Sequence, residues 1–168
     1  MIAAVDVHYQ AESGTAACVL FRHWSDDAPA FESIAQVPKV APYEPGNFFR
    51  RELPCILAVL QAMEQRPRII IVDGYVWLTD EREPGLGGHL YEALERKAAI
   101  IGVAKTKFRN ADSALAVTRG TSRLALHVTA AGLSLPEAAS NIRKMHGPFR
   151  IPTLIRRADQ LCRGLLSP

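Results

Sequence analysis

Four consecutive apolar residues stand in the stretch Arg68-Ile69-Ile70-Ile71-Val72-Asp73-Gly74. A continuous β-branched run, without polar alternation, marks a strand buried on both faces, the pattern of a parallel sheet. It ends in Asp73-Gly74. Ligands gather at the carboxyl ends of strands in open α/β sheets, so Asp73 is placed for chemistry. A second buried run, residues 99–104, ends in Lys105.

Toward the N-terminus the pattern changes. Residues 2–8 alternate and are β-branched enough for a strand, with Asp6 set inside it. A carboxylate in an apolar strand is costly unless it is paired or binds a cation. Glu12-Ser13-Gly14 and residues 25–29 read as turns, and they separate strands over 15–24 and 31–37. Together these form an antiparallel meander of three strands.

Between the meander and Arg68 lies Pro42-Tyr43-Glu44-Pro45-Gly46-Asn47-Phe48-Phe49-Arg50-Arg51-Glu52. Its prolines and glycine hold a fixed, non-helical path that carries three rings. Residues 53–60 read as a buried helix, with Pro54 tolerable only in its first turn and Glu52 at its start.

After Asp73, residues 75–84 read as a polar loop. Residues 84–88 read as flexible, glycine-rich backbone whose glycines admit close approach or simply punctuate the loop. A helix follows over 89–97. Residues 106–113 read as a polar loop, and Val117 with residues 124–129 as a hairpin around Thr118-Arg119-Gly120-Thr121. Ser134-Leu135-Pro136-Glu137 is a capping box for a helix to about Met145, and Arg150-Ile151-Pro152 opens a last helix ending near Gly164.

Three antiparallel strands, helix, strand, helix, strand, hairpin and two helices make the layout of an α/β ribonuclease H-like fold. The expected core is a central mixed five-stranded sheet flanked by helices, in a single domain over residues 1–168. No repeat, linker or low-complexity segment interrupts it.

Composition narrows the functional classes. The chain has 168 residues, about half of them apolar, which is enough for a sizeable core. No run of eighteen apolar residues exists, so no membrane span is expected. Met1-Ile2-Ala3-Ala4-Val5-Asp6 lacks the basic and apolar regions of a signal peptide. Cys18, Cys55 and Cys162 are odd in number and lack metal spacing, which suggests buried free thiols in a reducing, cytoplasmic compartment. Residues 1–100 hold 9 Lys/Arg against 14 Asp/Glu, a net of −5, whereas residues 101–168 hold 11 against 3, a net of +8. A basic half points to a polyanion or to a merely basic surface.

Asp6, Glu52 and Asp73 are hard oxygen donors without a Cys or His cluster beside them, which suits Mg²⁺, with Mn²⁺ as substitute, rather than zinc. If the first and fourth strands are neighbours, Asp6 and Asp73 grip one ion and Glu52 holds it through water. Such an ion polarises a phosphate and activates water. Lys105, ending an adjacent strand, orients that water or steadies charge on the phosphate. Taken singly, each carboxylate is equally well explained by a salt bridge or a helix dipole.

The chain resembles the endonuclease V family of nucleases, which incise DNA or RNA near inosine. The matching pieces are Val5-Asp6-Val7, Pro42-Tyr43-Glu44-Pro45-Gly46 with Arg51-Glu52-Leu53-Pro54, and Val72-Asp73-Gly74. Further along they are Gly85-Leu86 with His89-Leu90, Ile101-Gly102-Val103-Ala104-Lys105, and Arg150-Ile151-Pro152 with Arg156 and Ala158-Asp159. The resemblance implies Asp6, Glu52 and Asp73 as a catalytic metal site and Lys105 as a catalytic residue. It implies Tyr43 in a wedge loop that parts the strands, with Pro45, Phe48 and Arg51 also contacting nucleic acid. Gly46, Gly85, Leu86 and Ala104 would line the pocket for the extruded base. A base inside a duplex must be extruded to be read, and a poorly paired one is cheapest to extrude. An aromatic wedge fills the gap by stacking. The implied partner is DNA or RNA containing inosine or another altered base, bound by a monomer with no membrane role.

Three departures from the family pattern stand out. Thr79 occupies a family histidine position. Thr129-Ala130-Ala131-Gly132-Leu133 replaces a second histidine-bearing motif, and Tyr75 and Trp77 fill the loop after Asp73. The alternative expectation is therefore a catalytically weakened or inactive homologue that serves as a nucleic-acid-binding module.

Overall fold

A computed structural model describes residues 1–42, 44–108 and 114–168. β1 (Ile2–Gln10), β2 (Ser13–Phe21) and β3 (Phe31–Val37) form the expected antiparallel meander. α1 (Phe49–Gln61) then leads to β4 (Ile69–Asp73), which pairs in parallel with β1 in the register Val5 to Val72. α2 (Leu86–Ala93) leads to β5 (Ala99–Ala104), parallel to β4, with Asp73 opposite Val103.

The hairpin does not stand apart from this sheet. β6 (Leu115–Val117) and β7 (Leu126–Ala131) pair with each other, and β7 pairs antiparallel with β5. The sheet therefore has seven strands, in the order β3-β2-β1-β4-β5-β7-β6, with the expected five-stranded core extended at one edge. The physical reason is the edge of β5. Its unpaired backbone groups and apolar side chains would be exposed without β7, and Val128 lies opposite Val103 to cover them. α3 (Leu135–Lys144) and α4 (Thr153–Cys162) complete the chain, and Ser134 caps α3 by accepting from the Glu137 amide at 3.3 Å.

Helices cover both faces, which explains the uninterrupted apolar runs. Ile2, Ala4, Ile71, Ile101 and Val103 face α3 and α4 and pack with Ile142, Leu154 and Leu161. Ala3, Val5, Ile70, Val72 and Ile100 face α1 and α2 and pack with Ile56, Val59 and Leu90. Each fully buried Val, Leu or Ile among them contributes about 2 kcal/mol. Cys18, Cys55 and Cys162 are buried free thiols. Among the described residues no helix is long and apolar enough to cross a membrane.

Two helix starts differ from the sequence expectation. α1 begins at Phe49, so Pro54 is its sixth residue and lies inside the helix rather than in its first turn. The Phe49 ring stacks on His89, with centroids 3.6 Å apart, and the amides of Arg50 and Arg51 bond back to Asn47 and Phe48 at 3.0 Å. These contacts extend the helix one turn upstream of the proline. α2 begins at Leu86, so Gly87 and Gly88 are helical. A Cβ on Gly87 would stand 2.8 Å from Val76 Cγ2, and one on Gly88 2.7 Å from the Val76 carbonyl oxygen. These two glycines serve the close packing of helix on chain.

Candidate functional site

Side chains alternate between faces along a strand, so residues an even number of positions apart share a face. Asp6 follows Ala4, Asp73 follows Ile71 and Lys105 follows Val103, all on the α3/α4 face. The register sets Asp6, midway along β1, level with Asp73 at the end of β4 and Lys105 just past β5, so these three side chains meet at the carboxyl ends of β4 and β5. Lys105 Nζ donates to Asp73 Oδ2 at 2.6 Å, and the Val7 amide donates to Asp6 Oδ1 at 2.8 Å. Glu52 arrives from the other face in the first turn of α1, where it is buried.

A fourth carboxylate joins them. Asp159 of α4 shares with Asp6, Glu52 and Asp73 the lining of a cavity of ≈ 550 Å³. The sequence motif contained Asp159 but gave it no role. The available signal was an acid in a strongly basic segment, beside the inward-facing Ala158 and Leu154 of an amphipathic helix. Phe49, Tyr75, Leu78, Phe108 and Arg163 also line this cavity and were not expected there.

Among the expected nucleic-acid contacts, Gly46, Phe48, Gly85 and Leu86 line the cavity. Gly46 has φ +82°, which favours glycine. A Cβ on Gly85 would lie 2.5 Å from the Tyr75 carbonyl oxygen. Pro45 is exposed just outside it. Arg51 stacks over the Tyr9 ring at 4.3 Å, and Ala104 is buried beneath Tyr75. Tyr43 lies outside the described residues.

The charges are poorly compensated. Four carboxylates face the cavity against two cations, Lys105 and Arg163, and Arg163 is already paired with Asp159 at 2.6 Å. Burial, helped by the nearby Asp73 and Asp159, pushes Asp6 up to about 6 against the Val7 hydrogen bond. Burial, with Asp6 and Asp73, pushes Glu52 up to about 8 against the opposing Arg51. Burial pulls Lys105 down, but its bond to Asp73 and the surrounding carboxylates outweigh this and leave it raised. Perturbed carboxylates of this kind, gathered in one cavity, cluster at functional sites.

The donors fit a hard divalent ion, because all four are carboxylates. Cys162 Sγ lies within 4.8 Å of ligand atoms of Asp6 and Asp159. Burial pushes this thiol up to about 12 and it donates to the Asp159 carbonyl, so it remains a neutral packing group.

The departures from the family pattern form a connected strap. The Trp77 indole donates to the Ala130 carbonyl at 3.0 Å, and Thr129 Oγ1 accepts from the Val76 amide at 2.8 Å. Tyr75 Oη donates to the Thr106 carbonyl at 3.0 Å and accepts from the Phe108 amide at 2.9 Å. Thr79 closes a turn by accepting from the Glu83 amide at 3.3 Å. The segment after Asp73 is thus tied to β7 by neutral hydrogen bonds.

The strand order, with helices on both faces, defines a protein of the ribonuclease H-like fold class. The Endonuclease V family model matches residues 1–132, and the chain belongs to that family. Endonuclease V of Streptomyces avermitilis is 30% identical over 192 residues, covering 99% of this chain and 80% of the relative. That of Nostoc punctiforme is 27% identical over 181 residues, covering 95% and 80%. The solved structure of the Streptomyces avermitilis enzyme superposes with TM-score 0.78 at 27% identity, covering 98% of this chain and 80% of that one. Endonuclease V of Ciona intestinalis, in complex with a 24mer DNA containing an inosine followed by a ribo-adenosine, shares the fold with TM-score 0.78. It is 20% identical and is matched over 98% of this chain and 84% of that one.

Proposed function

We propose that this protein is a divalent-metal-dependent endonuclease that hydrolyses a phosphodiester near a deaminated base, inosine or deoxyinosine, in RNA or DNA, as part of nucleic-acid repair. The observation that carries this reading is the convergence of Asp6, Glu52, Asp73 and Asp159 beside an aromatic cavity. Asp6, Asp73 and Asp159 would hold Mg²⁺, or Mn²⁺ in its place, with Glu52 completing the site. When bound, the ion supplies Lewis acidity and neutralises phosphate charge.

The chain's own groups do the rest. Lys105 directs its ammonium toward the phosphate and steadies the charge that grows on its oxygens. Water gives up a proton as its oxygen bonds to phosphorus, the bond to one bridging oxygen breaks, and that oxygen takes up a proton, so the strand is left with one phosphate end and one hydroxyl end. Phe48, Phe49, Tyr75 and Phe108 offer ring faces to an extruded base, and Gly46 and Gly85 leave room for its edge. The loop over residues 42–48 acts as the wedge. The reading includes a single cytoplasmic domain working as a monomer.

The test is a labelled inosine-containing strand incubated with Mg²⁺ or Mn²⁺. Nicking near inosine that stops on chelation is the expected result. An intact strand, where another endonuclease V cuts the same substrate, defeats the proposal.

A further inference from the structure

The carboxylates form a ridge between two cavities. Asp6, Asp73, Lys105 and Asp159 line the aromatic cavity and also a second one of ≈ 360 Å³. The second cavity is walled by β5 and by the chain entering and forming α4, and its lining contains no aromatic ring. Ile151, Ile155 and Leu165 supply aliphatic surface, and Arg156 and Gln160 supply polar groups.

We infer that this second cavity is a subsite for the sugar and phosphate of the nucleotide beyond the phosphodiester held on the ridge. The inference rests on the proposed phosphodiester chemistry. A phosphodiester has a nucleoside on each side, so a strand crossing the ridge descends on both. The rings lie on one side, which suits a stacked base. The aliphatic wall on the other side suits a sugar and reads no base edge.

Arg156 is the phosphate partner. It lies one turn before Asp159 on α4, so the two side chains share a helix face beside the ridge. Its guanidinium stacks on the Phe149 ring at 4.6 Å. Stacking uses the flat face and leaves the in-plane N–H donors for an anion. The other arginines of this segment are engaged, Arg157 with Glu32 of β3 and Arg163 with Asp159. Among the described residues Arg156 pairs with no carboxylate.

The test is a double-mutant cycle on binding, read by fluorescence polarisation in Ca²⁺ so that it does not require cleavage. A neutral methylphosphonate is walked along an inosine-containing strand, one phosphate at a time, against the wild-type protein and the Arg156→Gln variant. The wild type should lose about tenfold in affinity at one phosphate on the subsite side, the low end for a charge-assisted hydrogen bond. Arg156→Gln should lose about as much on the unmodified strand and no more at that phosphate, and Arg156→Lys should keep part of the effect. Losses that multiply at every phosphate, or an Arg156→Gln variant that binds like wild type, overturn the inference. Coupling without cleavage supports the subsite and defeats the nuclease reading. Cleavage without coupling does the reverse, and failure to bind any strand defeats both.

Discussion

The two ends of the sheet carry cavities of comparable size and opposite electrostatic character. At the amino ends of β4 and β5, Leu60, Pro67, Ile70, Leu94 and Ala98 surround ≈ 440 Å³. The charges there have local partners: Arg66 donates to the Leu60 carbonyl at 3.1 Å, and Lys97 lies 2.5 Å from Glu95. At the carboxyl ends, four acids crowd a cavity of ≈ 550 Å³ and two of them are held well above their ordinary pKa. Volume does not distinguish the two ends. The gathering of four acids against two cations does, because acids brought together raise one another's pKa and such groups cluster at functional sites.

The sharpest way to break this contrast is to remove one carboxylate. Asp73→Ala or Asp6→Ala should lower cleavage by at least about 10³-fold, the loss expected when several kcal/mol of metal-derived stabilisation disappear. Binding of the strand, measured by fluorescence polarisation, should largely survive. A variant that cuts within tenfold of wild type would show that the crowded acids are not the reacting centre.

Stability against pH tests the stored charge directly. Glu52 and Asp6 are raised in the folded chain, so the unfolded chain releases these protons first, and rising pH favours unfolding. With respect to these groups the metal-free protein should therefore be most stable below about pH 4, where both are protonated in the folded and the unfolded chain. It should lose on the order of a few kcal/mol by about pH 8 and change little beyond. Urea unfolding across that range measures this. Glu52→Gln should flatten most of the slope, and added Mg²⁺ should stabilise most at the alkaline end. A flat metal-free profile would mean that Glu52 ionises freely.

The smallest effect compares one lysine from each end. Lys105→Ala should cost about 10²-fold in cleavage, the value of one preorganised charge-stabilising donor. Lys97→Ala, which removes an exposed pair, should leave cleavage unchanged and shift stability by less than about 0.5 kcal/mol. Equal losses from both would erase the distinction between the two ends.

Much of this arrangement was legible before the structure. The apolar runs ending in Asp73 and Lys105, the polar Asp6 inside an apolar strand, and the capping box at Ser134 each express local rules of period, cost and hydrogen bonding. Asp159 was not read as part of the site, because the carboxylates it joins are 86 or more residues away in sequence and α4 by itself shows only an amphipathic helix. The helical role of Gly87 and Gly88 was also hidden, since it depends on the backbone at Val76 lying against them.

The sequence by itself determined the order of elements, the buried strands, a carboxylate inside the first strand, and two carboxylates and a lysine at helix or strand ends. Those follow from interactions between residues near one another in the chain. Only the tertiary structure decided that the hairpin would extend the sheet to seven strands and that α4 would bring a fourth carboxylate. It also decided that Asp6, Asp73 and Asp159 would stand as a ridge between an aromatic and an aliphatic cavity. Those follow from strand register and helix docking: one residue of slip would turn Asp6 or Asp73 to the other face of the sheet, and would swing Asp159 about 100° round its helix.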